Sequence, residues 1–144
     1  MHTIIWSRFD DLDTPTLYDI LRLRSEVFVV EQACAFLDLD GRDQASDTEH
    51  AWINVDGRVV AYLRVLTLDD AAVKISRVVT ASAERSSGFG RSLMIAAIER
   101  FAGREVVLDA QSRLEQWYET LGFVRSGERF VEDDILHTPM RFAN

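Results

Sequence analysis

The chain has 144 residues, a net charge of -8 and an apolar fraction of 47%. This length predicts one domain over residues 1–144, and the apolar fraction is too high for a disordered chain. Such acidity repels a nucleic-acid backbone, and no basic patch offsets it, so we expect no nucleic-acid partner. Two interpretations of the acidity stay open: it attracts a cationic substrate such as an amine, or it only keeps the protein soluble.

No segment of the sequence is suited to a membrane or to export. The longest apolar runs, such as residues 27–30, are far too short to cross a bilayer. The N-terminus lacks a basic region followed by an apolar stretch, so it does not resemble a signal peptide. The single cysteine, Cys34, cannot form an internal disulfide, and a lone cysteine is more often a small core residue than a nucleophile. We therefore expect a cytoplasmic protein without a membrane partner.

The first part of the chain predicts a strand and then a helix. Residues 3–6 are a short β-favouring run. Thr14 and Pro15 are typical of a helix start, with Thr14 as the cap. Apolar residues at helical spacing continue this helix to about Glu31. A long polar loop rich in aspartate follows at residues 32–48.

Three strand-like runs come next, at residues 49–55, 58–66 and 72–80. The pair Asp56-Gly57 supplies the two positive-φ residues that a tight hairpin turn requires. The pair Asp69-Asp70 marks the second turn. Short turns between successive strands predict an antiparallel meander.

The second half of the chain predicts alternating strands and helices. Its segments are, in order, a helix from about Gly90 to Gly103, a strand at 105–108, a helix that ends at Gly122, a strand at 123–124 and a last strand within 129–141. No repeat or linker divides the chain, so the whole pattern predicts one mixed α/β domain.

Three aspartates of the long loop, Asp38, Asp40 and Asp43, raise the question of a calcium site. The spacing does not fit, because Arg42 stands at the third ligand position and Asp43 at the required glycine. We therefore predict no metal site and interpret the loop as a solvated connector. Its acidity also suggests, as a hypothesis, a cationic acceptor substrate.

A glycine-containing loop lies between the meander and the next helix. At Gly88 and Gly90 the backbone N–H groups can approach a phosphate, and the helix N-terminus adds partial positive charge. A Walker loop is excluded because Gly90 precedes Arg91 rather than lysine, and a dinucleotide fingerprint because Leu93 replaces its third glycine. Arg85 and Arg91 flank the loop as cationic donors. Alone, this pattern indicates an anion at a helix N-terminus, and such glycines more often serve only the turn.

The sequence on both sides of the loop resembles a known family. Residues 77–79 followed by residues 85–94 resemble the acetyl-CoA motif of the GNAT N-acetyltransferases, and residues 118–123 resemble the later Tyr-x-x-x-Gly-Phe element. Further segments resemble the ElaA branch of that superfamily, at residues 26–32, 38–41, 110–111 and 132–137. Two positions depart from the usual pattern: Ser86 replaces a frequent glycine, and Leu136 replaces the proline before His137.

The resemblance implies a mixed α/β GNAT fold with a central mixed sheet of about six or seven strands flanked by helices. It implies direct transfer of the acetyl group of acetyl-CoA to a primary amine of a small molecule or peptide, without a metal. By analogy with the superfamily, a homodimer is expected. The implied cofactor-binding residues are Val78, Val79, Arg85, Ser86, Ser87, Gly88, Phe89, Gly90, Arg91 and Ser92.

The resemblance also implies a role for Tyr118, which matches the tyrosine that assists the departing thiolate. The alternative is that Tyr118 only packs beside Trp117. The general base stays open among Glu31, His50, Glu132, His137 and a chain of waters. Two other classes of function also stay open: a regulatory module that binds acyl-CoA without turnover, and a nucleotide-binding domain.

Overall fold

The computed structural model describes residues 2–69 and 71–143. The strands are β1 (Ile4–Arg8), β2 (Glu49–Val55), β3 (Arg58–Asp69), β4 (Ala72–Thr80), β5 (Glu105–Gln111), β6 (Phe123–Arg125), β7 (Phe130–Glu132) and β8 (Ile135–Phe142). The α-helices are α1 (Thr14–Arg24), α2 (Phe89–Arg100) and α3 (Glu115–Glu119). A π-helical segment (Ser25–Glu31) continues α1, and short 3-10 turns lie at Phe9–Asp11, Arg42–Gln44, Ser82–Ser87 and Ser112–Leu114.

Over the described residues the strands form one mixed sheet of eight strands in the order β1-β2-β3-β4-β5-β8-β6, with β7 also paired to β8. The pairs from β1 to β4 are antiparallel, β4 and β5 are parallel, and β5 and β8 are antiparallel. The mixed α/β fold class is confirmed. The sheet exceeds the predicted six or seven strands because residues 129–141 form a hairpin rather than one strand. Asp133 and Asp134 make its turn, with φ of 52° and 62°.

The first helix ends where the sequence predicts but begins differently. Asp13, not Thr14, is the cap, because its Oδ1 accepts a hydrogen bond from the backbone N–H of Thr16 at 2.8 Å. The helical path ends at Glu31 as expected, although its last turns are π-helical. None of the helices among the described residues is long and apolar enough to cross a membrane.

The antiparallel meander is confirmed, and its first hairpin turn has positive φ at both Asp56 (52°) and Gly57 (79°). The second turn, predicted at Asp69-Asp70, lies partly outside the described residues. Because strand side chains alternate between faces, β2 serves two apolar clusters. Ala51 and Ile53 join the main cluster with α2, whereas Trp52 joins a second cluster with α1. Helices therefore cover both faces of the sheet.

The loop of residues 32–48 was predicted to be a solvated connector, and this prediction is wrong at Asp38 and Asp43. Asp38 and Asp43 are buried, and both form ion pairs with the fully buried Arg24. Buried carboxylates are stable only when paired, and the arginine that pairs them lies on α1, where the loop sequence cannot show it. Within residues 2–69 and 71–143 no group of three His, Cys, Asp or Glu side chains is arranged to hold a metal ion.

Candidate active site

A groove with a volume of about 1500 Å³ opens where β4 and β5 separate. The parallel pairing runs from Ala72–Glu105 to Ile75–Leu108 and stops there. Beyond Ile75, the edge of β4 that faces β5 has no strand partner among the described residues. Backbone N–H and C=O groups along such an edge are available to a ligand that lies beside the strand.

A bulge in β4 lies next to this opening. The register with β3 shifts between the pairs Tyr62–Val79 and Arg64–Ser76, so that β4 carries one extra residue. Arg77 lies in the bulge with a left-handed φ of 55°. The bulge therefore bends β4 at the point where it parts from β5.

Val78 lies in the bulge beside Arg77, Val79 follows it, and both valines line the groove. Val79 is buried and belongs to the cluster beneath α1, whereas Val78 is half-buried and packs against the main core. The side chains of these valines are thus core residues. Their backbone borders the unpaired edge, which is the position that the sequence resemblance implies.

The N-terminus of α2 closes one end of the groove. Gly88 precedes the helix with φ of 79°, and no side chain caps it. The first backbone N–H groups of α2 therefore have no partner within the helix, and the helix dipole adds partial positive charge there. Ser86, Gly88 and Gly90 all line the groove. This end of the groove is suited to an anion.

Gly90 allows close packing at the same end. A Cβ atom at this position would lie 3.4 Å from Thr80 Oγ1 and 3.7 Å from the Trp117 ring. The absence of a side chain lets the first turn of α2 approach the end of β4 and α3. The glycine therefore serves packing as well as backbone access.

Three of the predicted loop residues turn their side chains away from the groove. Ser87 Oγ donates to Glu84 at 3.3 Å, and Ser92 Oγ donates to the carbonyl of Gly88 at 3.1 Å. The Phe89 ring packs edge-on against His2 with centroids 5.1 Å apart. Any contact of these residues with a ligand in the groove would involve their backbone.

The two flanking arginines differ in their contacts. Arg85 forms a bidentate pair with Glu31, with N–O distances of 2.5 and 2.8 Å, and its Nε donates to the carbonyl of Thr80 at 3.2 Å. The pair raises the pKa of Arg85 and lowers that of Glu31. Arg91 is exposed and makes one long hydrogen bond of 3.4 Å to Thr120. The Arg85–Glu31 pair was not predicted, because no spacing in the sequence indicates a contact between these two segments.

Glu31 and Gln32 contact the chain on both sides of the groove. Glu31 reaches Arg85 in the loop after β4, and Gln32 Oε1 accepts a hydrogen bond of 3.2 Å from Gln111 at the end of β5. The end of the π-helical segment therefore contacts the chain on both sides of the gap between β4 and β5.

Tyr118 lies in α3 with 6% of its surface exposed and lines the groove. Its ring packs edge-on against Trp117 and Phe123, with centroid distances of 4.9 and 6.2 Å. Burial raises the pKa of Tyr118 to about 12. None of the residues that the structure describes forms a hydrogen bond to its hydroxyl. The Tyr118 hydroxyl is therefore protonated and can donate a hydrogen bond to a ligand in the groove.

His50, a predicted candidate base, does not line the groove. Its Nε2 lies 3.0 Å from the carbonyl of Asp43 and its Nδ1 lies 2.6 Å from the Tyr62 hydroxyl. Since a carbonyl only accepts, Nε2 carries the proton and Nδ1 accepts from Tyr62. Burial lowers the pKa of His50. These contacts indicate a structural histidine.

His137 and Glu132 both line the groove. His137 Nδ1 lies 2.8 Å from the carbonyl of Ile135, so it is the donor, and Nε2 of the neutral ring is left as an acceptor. The ring also stacks on Phe130 at 5.6 Å. Cys34 lies in the groove wall as well, where its thiol donates to the carbonyl of Asp133 at 3.2 Å.

Comparison with known proteins gives consistent matches. Residues 23–143 match the model of the family described as "Acetyltransferase (GNAT) domain". ElaA of Escherichia coli K12 is 38% identical over 138 residues, which cover 90% of this chain and 89% of that protein. A UPF0039 protein of Mycobacterium tuberculosis H37Rv is 39% identical over 140 residues, which cover 94% of this chain and 88% of that protein.

Solved structures give the same result. An acyl-CoA N-acyltransferase of Pseudomonas aeruginosa superposes with a TM-score of 0.91 and 41% identity, over 99% of this chain and 100% of that chain. The crystal structure of Escherichia coli ElaA also has a TM-score of 0.91, with 34% identity and the same coverage.

Proposed function

The chain belongs to the GNAT acetyltransferase family, and on this premise we propose that it is an N-acetyltransferase that moves the acetyl group of acetyl-CoA to a primary amine of a small molecule or peptide. The family and the fold support acyl transfer from acyl-CoA in general. One observation carries the finer proposal. The buried hydroxyl of Tyr118, the uncapped N-terminus of α2 and the unpaired edge of β4 all border the same groove.

Acetyl-CoA fits this groove by its chemistry. The backbone of Val78 and Val79 would pair with the amides of the pantetheine arm, as a neighbouring strand does. The N–H groups at the start of α2, from Gly88 to Arg91, would hold the pyrophosphate, and the exposed Arg91 side chain adds positive charge. Arg85 would join them after leaving Glu31.

The reaction would be a direct attack of the neutral amine on the thioester carbonyl. The new C–N bond forms, the C–S bond breaks, and the amine loses a proton to a base. Binding both reactants in one groove supplies the proximity effect. A backbone N–H near Val79 would polarise the carbonyl oxygen, as in an oxyanion hole.

Tyr118 would stabilise the departing thiolate mainly by a hydrogen bond. Its pKa of about 12 is well above the value of about 8.5 for an ordinary thiol. Complete proton transfer to the thiolate is therefore uphill, whereas a charge-assisted hydrogen bond from a protonated hydroxyl is favourable. The high pKa also keeps the hydroxyl protonated throughout the physiological range.

His137 is the base that the geometry favours. It lines the groove, and its hydrogen bond to Ile135 leaves Nε2 unprotonated in the neutral ring. Nε2 can accept a proton from the ammonium directly or through a water. Glu31 is instead paired with Arg85 in the free protein.

The acceptor is proposed to be cationic before it reacts. The acidic groups that support this are not those of the long loop, from which the sequence suggested it. The carboxylates of Asp38 and Asp43 are neutralised by arginines and do not attract a cation. The exposed side chains of Glu132, Asp133 and Asp134 border the groove instead. Their negative charge favours an approaching ammonium.

Binding and turnover measurements test the proposal. We expect acetyl-CoA at millimolar or lower concentration to raise the melting temperature, and ATP and NAD at the same concentration to leave it unchanged. Release of free CoA is then followed with polyamines, amino acids and peptides. Binding without CoA release from any amine would favour a regulatory acyl-CoA-binding module. No thermal shift and no change in tryptophan fluorescence would contradict the proposal.

A further inference from the structure

Arg77 has a backbone conformation that residues with a side chain seldom adopt. Its φ of 55° lies in the left-handed region, where the Cβ atom crowds the following carbonyl oxygen. It lies within a long β-strand, at the bulge that separates β4 from β5. A residue persists in such a conformation only where its surroundings hold it there.

The side chain of Arg77 is held from several directions by the loop of residues 38–43. Arg77 Nε lies 2.7 Å from Asp38 Oδ1 as an ion pair, although the N–H direction misses hydrogen-bond geometry. Its Nη2 donates to the carbonyl of Asp38 at 3.0 Å and lies 3.4 Å from Asp40 Oδ2. The Phe36 ring lies 5.6 Å from the guanidinium carbon. These contacts fix the guanidinium on the loop side of the sheet.

The loop is in turn held by two buried arginines from other elements. Arg24 of α1 is 0% exposed and bonds Asp38 at 2.9 Å and Asp43 at 2.7 Å. Arg64 of β3 is 1% exposed and bonds both oxygens of Asp40, at 2.9 and 3.0 Å. Each aspartate that contacts Arg77 therefore also contacts an immobile charge on α1 or β3. A buried charge is strongly held, because moving it away from its partner leaves it uncompensated.

We propose that Asp38 and Asp40 are positioning residues: they hold the side chain of Arg77, and through it the left-handed bulge that keeps the backbone of Val78 and Val79 exposed to the groove. This gives a role to the segment Asp38-Leu39-Asp40-Gly41, which the proposed chemistry does not use. The inference rests on the proposed function in one respect: it assumes that the backbone of Val78 and Val79 binds the pantetheine arm of acyl-CoA.

Substitutions at Arg77 separate positioning from direct contact. Alanine removes the side chain and strains the left-handed backbone, whereas glycine removes the same side chain and adopts positive φ without strain. We expect Arg77→Ala to weaken acetyl-CoA binding about tenfold or more, and Arg77→Gly to recover most of that loss. Calorimetry well below the melting temperature of each variant gives the Kd. Equal losses in both variants would overturn the inference, since they would indicate a direct contact of the guanidinium with the ligand.

The contribution of the loop is tested with Asp40→Asn. The Asp40 side chain is 26% exposed, and asparagine has the same shape as aspartate without its charge. We expect KM for acetyl-CoA to rise and kcat to change little. In the Arg77→Gly background the same substitution should have no further effect on KM, since the two residues act through one bulge. Asp47→Asn is the control, because Asp47 is exposed and lies in the same long loop (residues 32–48) but outside the segment 38–43. Additive effects of Asp40→Asn and Arg77→Gly would contradict the inference.

A measurement without ligand keeps this inference separate from the proposed function. Amide hydrogen exchange at residues 78–80 should be faster in Arg77→Ala than in Arg77→Gly, because only alanine disfavours the bulge. Identical exchange in the two variants would overturn the positioning role. Failure of the wild-type protein to bind acetyl-CoA would instead contradict the proposed function alone.

Discussion

Arg85 and Glu31 form a bidentate ion pair across the groove, between residues that are 54 positions apart in the chain. Both side chains are substantially exposed, at 45% and 42%. Exposed pairs contribute little to stability, so this one can open at small cost. Arg85 therefore has two competing partners, Glu31 in the free protein and the proposed pyrophosphate in the complex.

Replacing Glu31 should strengthen the binding of acetyl-CoA. Glu31→Gln frees Arg85 and removes a negative charge near the anion site, so we expect the Kd to fall about two- to fivefold. The matched control is Glu26→Gln, which removes the same charge from the same π-helical segment but breaks a pair with Arg22 away from the groove. Weaker binding in Glu31→Gln alone would show that Glu31 holds Arg85 in its binding orientation.

Removal of the Tyr118 hydroxyl should affect turnover rather than binding. Tyr118→Phe keeps the ring contacts with Trp117 and Phe123, so the Kd for acetyl-CoA should stay nearly unchanged. Loss of the donor should lower kcat by about 100-fold or more. Tyr18→Phe serves as the control, since Tyr18 is 76% exposed. Parallel losses in kcat and cofactor affinity would indicate a packing role for Tyr118.

The pH dependence of turnover should identify the general base, whereas the titration of Tyr118 should not affect it. The rate should rise with pH as the amine loses its proton, with no decline up to about pH 10, because the pKa of Tyr118 is about 12. His137→Gln should lower the rate more at pH 7 than at pH 9.5, where more of the amine is already neutral. The same pattern in Glu132→Gln, and not in His137→Gln, would assign the base to Glu132.

Stability should decrease as the pH is lowered, because His50 and Asp43 both have lowered pKa values in the folded protein. Burial lowers the pKa of His50, with Arg24 and Arg64 close by. Burial alone would raise the pKa of Asp43, but the same two arginines outweigh it. Groups of this kind stabilise the fold above their unfolded pKa, so the loss begins below pH 6.5 for His50 and continues below 3.8 for Asp43.

Unfolding by denaturant at several pH values measures this dependence. Between pH 6.5 and 5 the free energy of unfolding should fall by at most about 1.4 kcal/mol per pH unit for the single proton at His50. His50→Gln should flatten that part of the profile whatever its overall effect on stability, and His2→Gln, an exposed change, should not. An unchanged slope in His50→Gln would contradict the assignment.

The local pattern of the sequence predicted most of the secondary structure. Strands at 49–55 and 72–80 and the helix end at Glu31 follow from apolar periodicity, which reports the burial of each face. The hairpin at Asp133-Asp134 was missed because its turn lacks glycine and its two aspartates take positive φ in their place. The cap at Asp13 was missed because threonine is also a common N-cap and Pro15, typical of the first helical position, directly follows Thr14.

The sequence by itself determined the family, most of the strands and helices and the glycine loop before α2, because these depend on residues close together in the chain. Only the tertiary structure decided which charges are free. Arg85 meets Glu31, and Asp38 meets both Arg24 and Arg77, through contacts between elements far apart in sequence. Pairing between charges far apart in the chain depends on distances of a few ångströms in space, and local spacing along the chain carries no information about those distances.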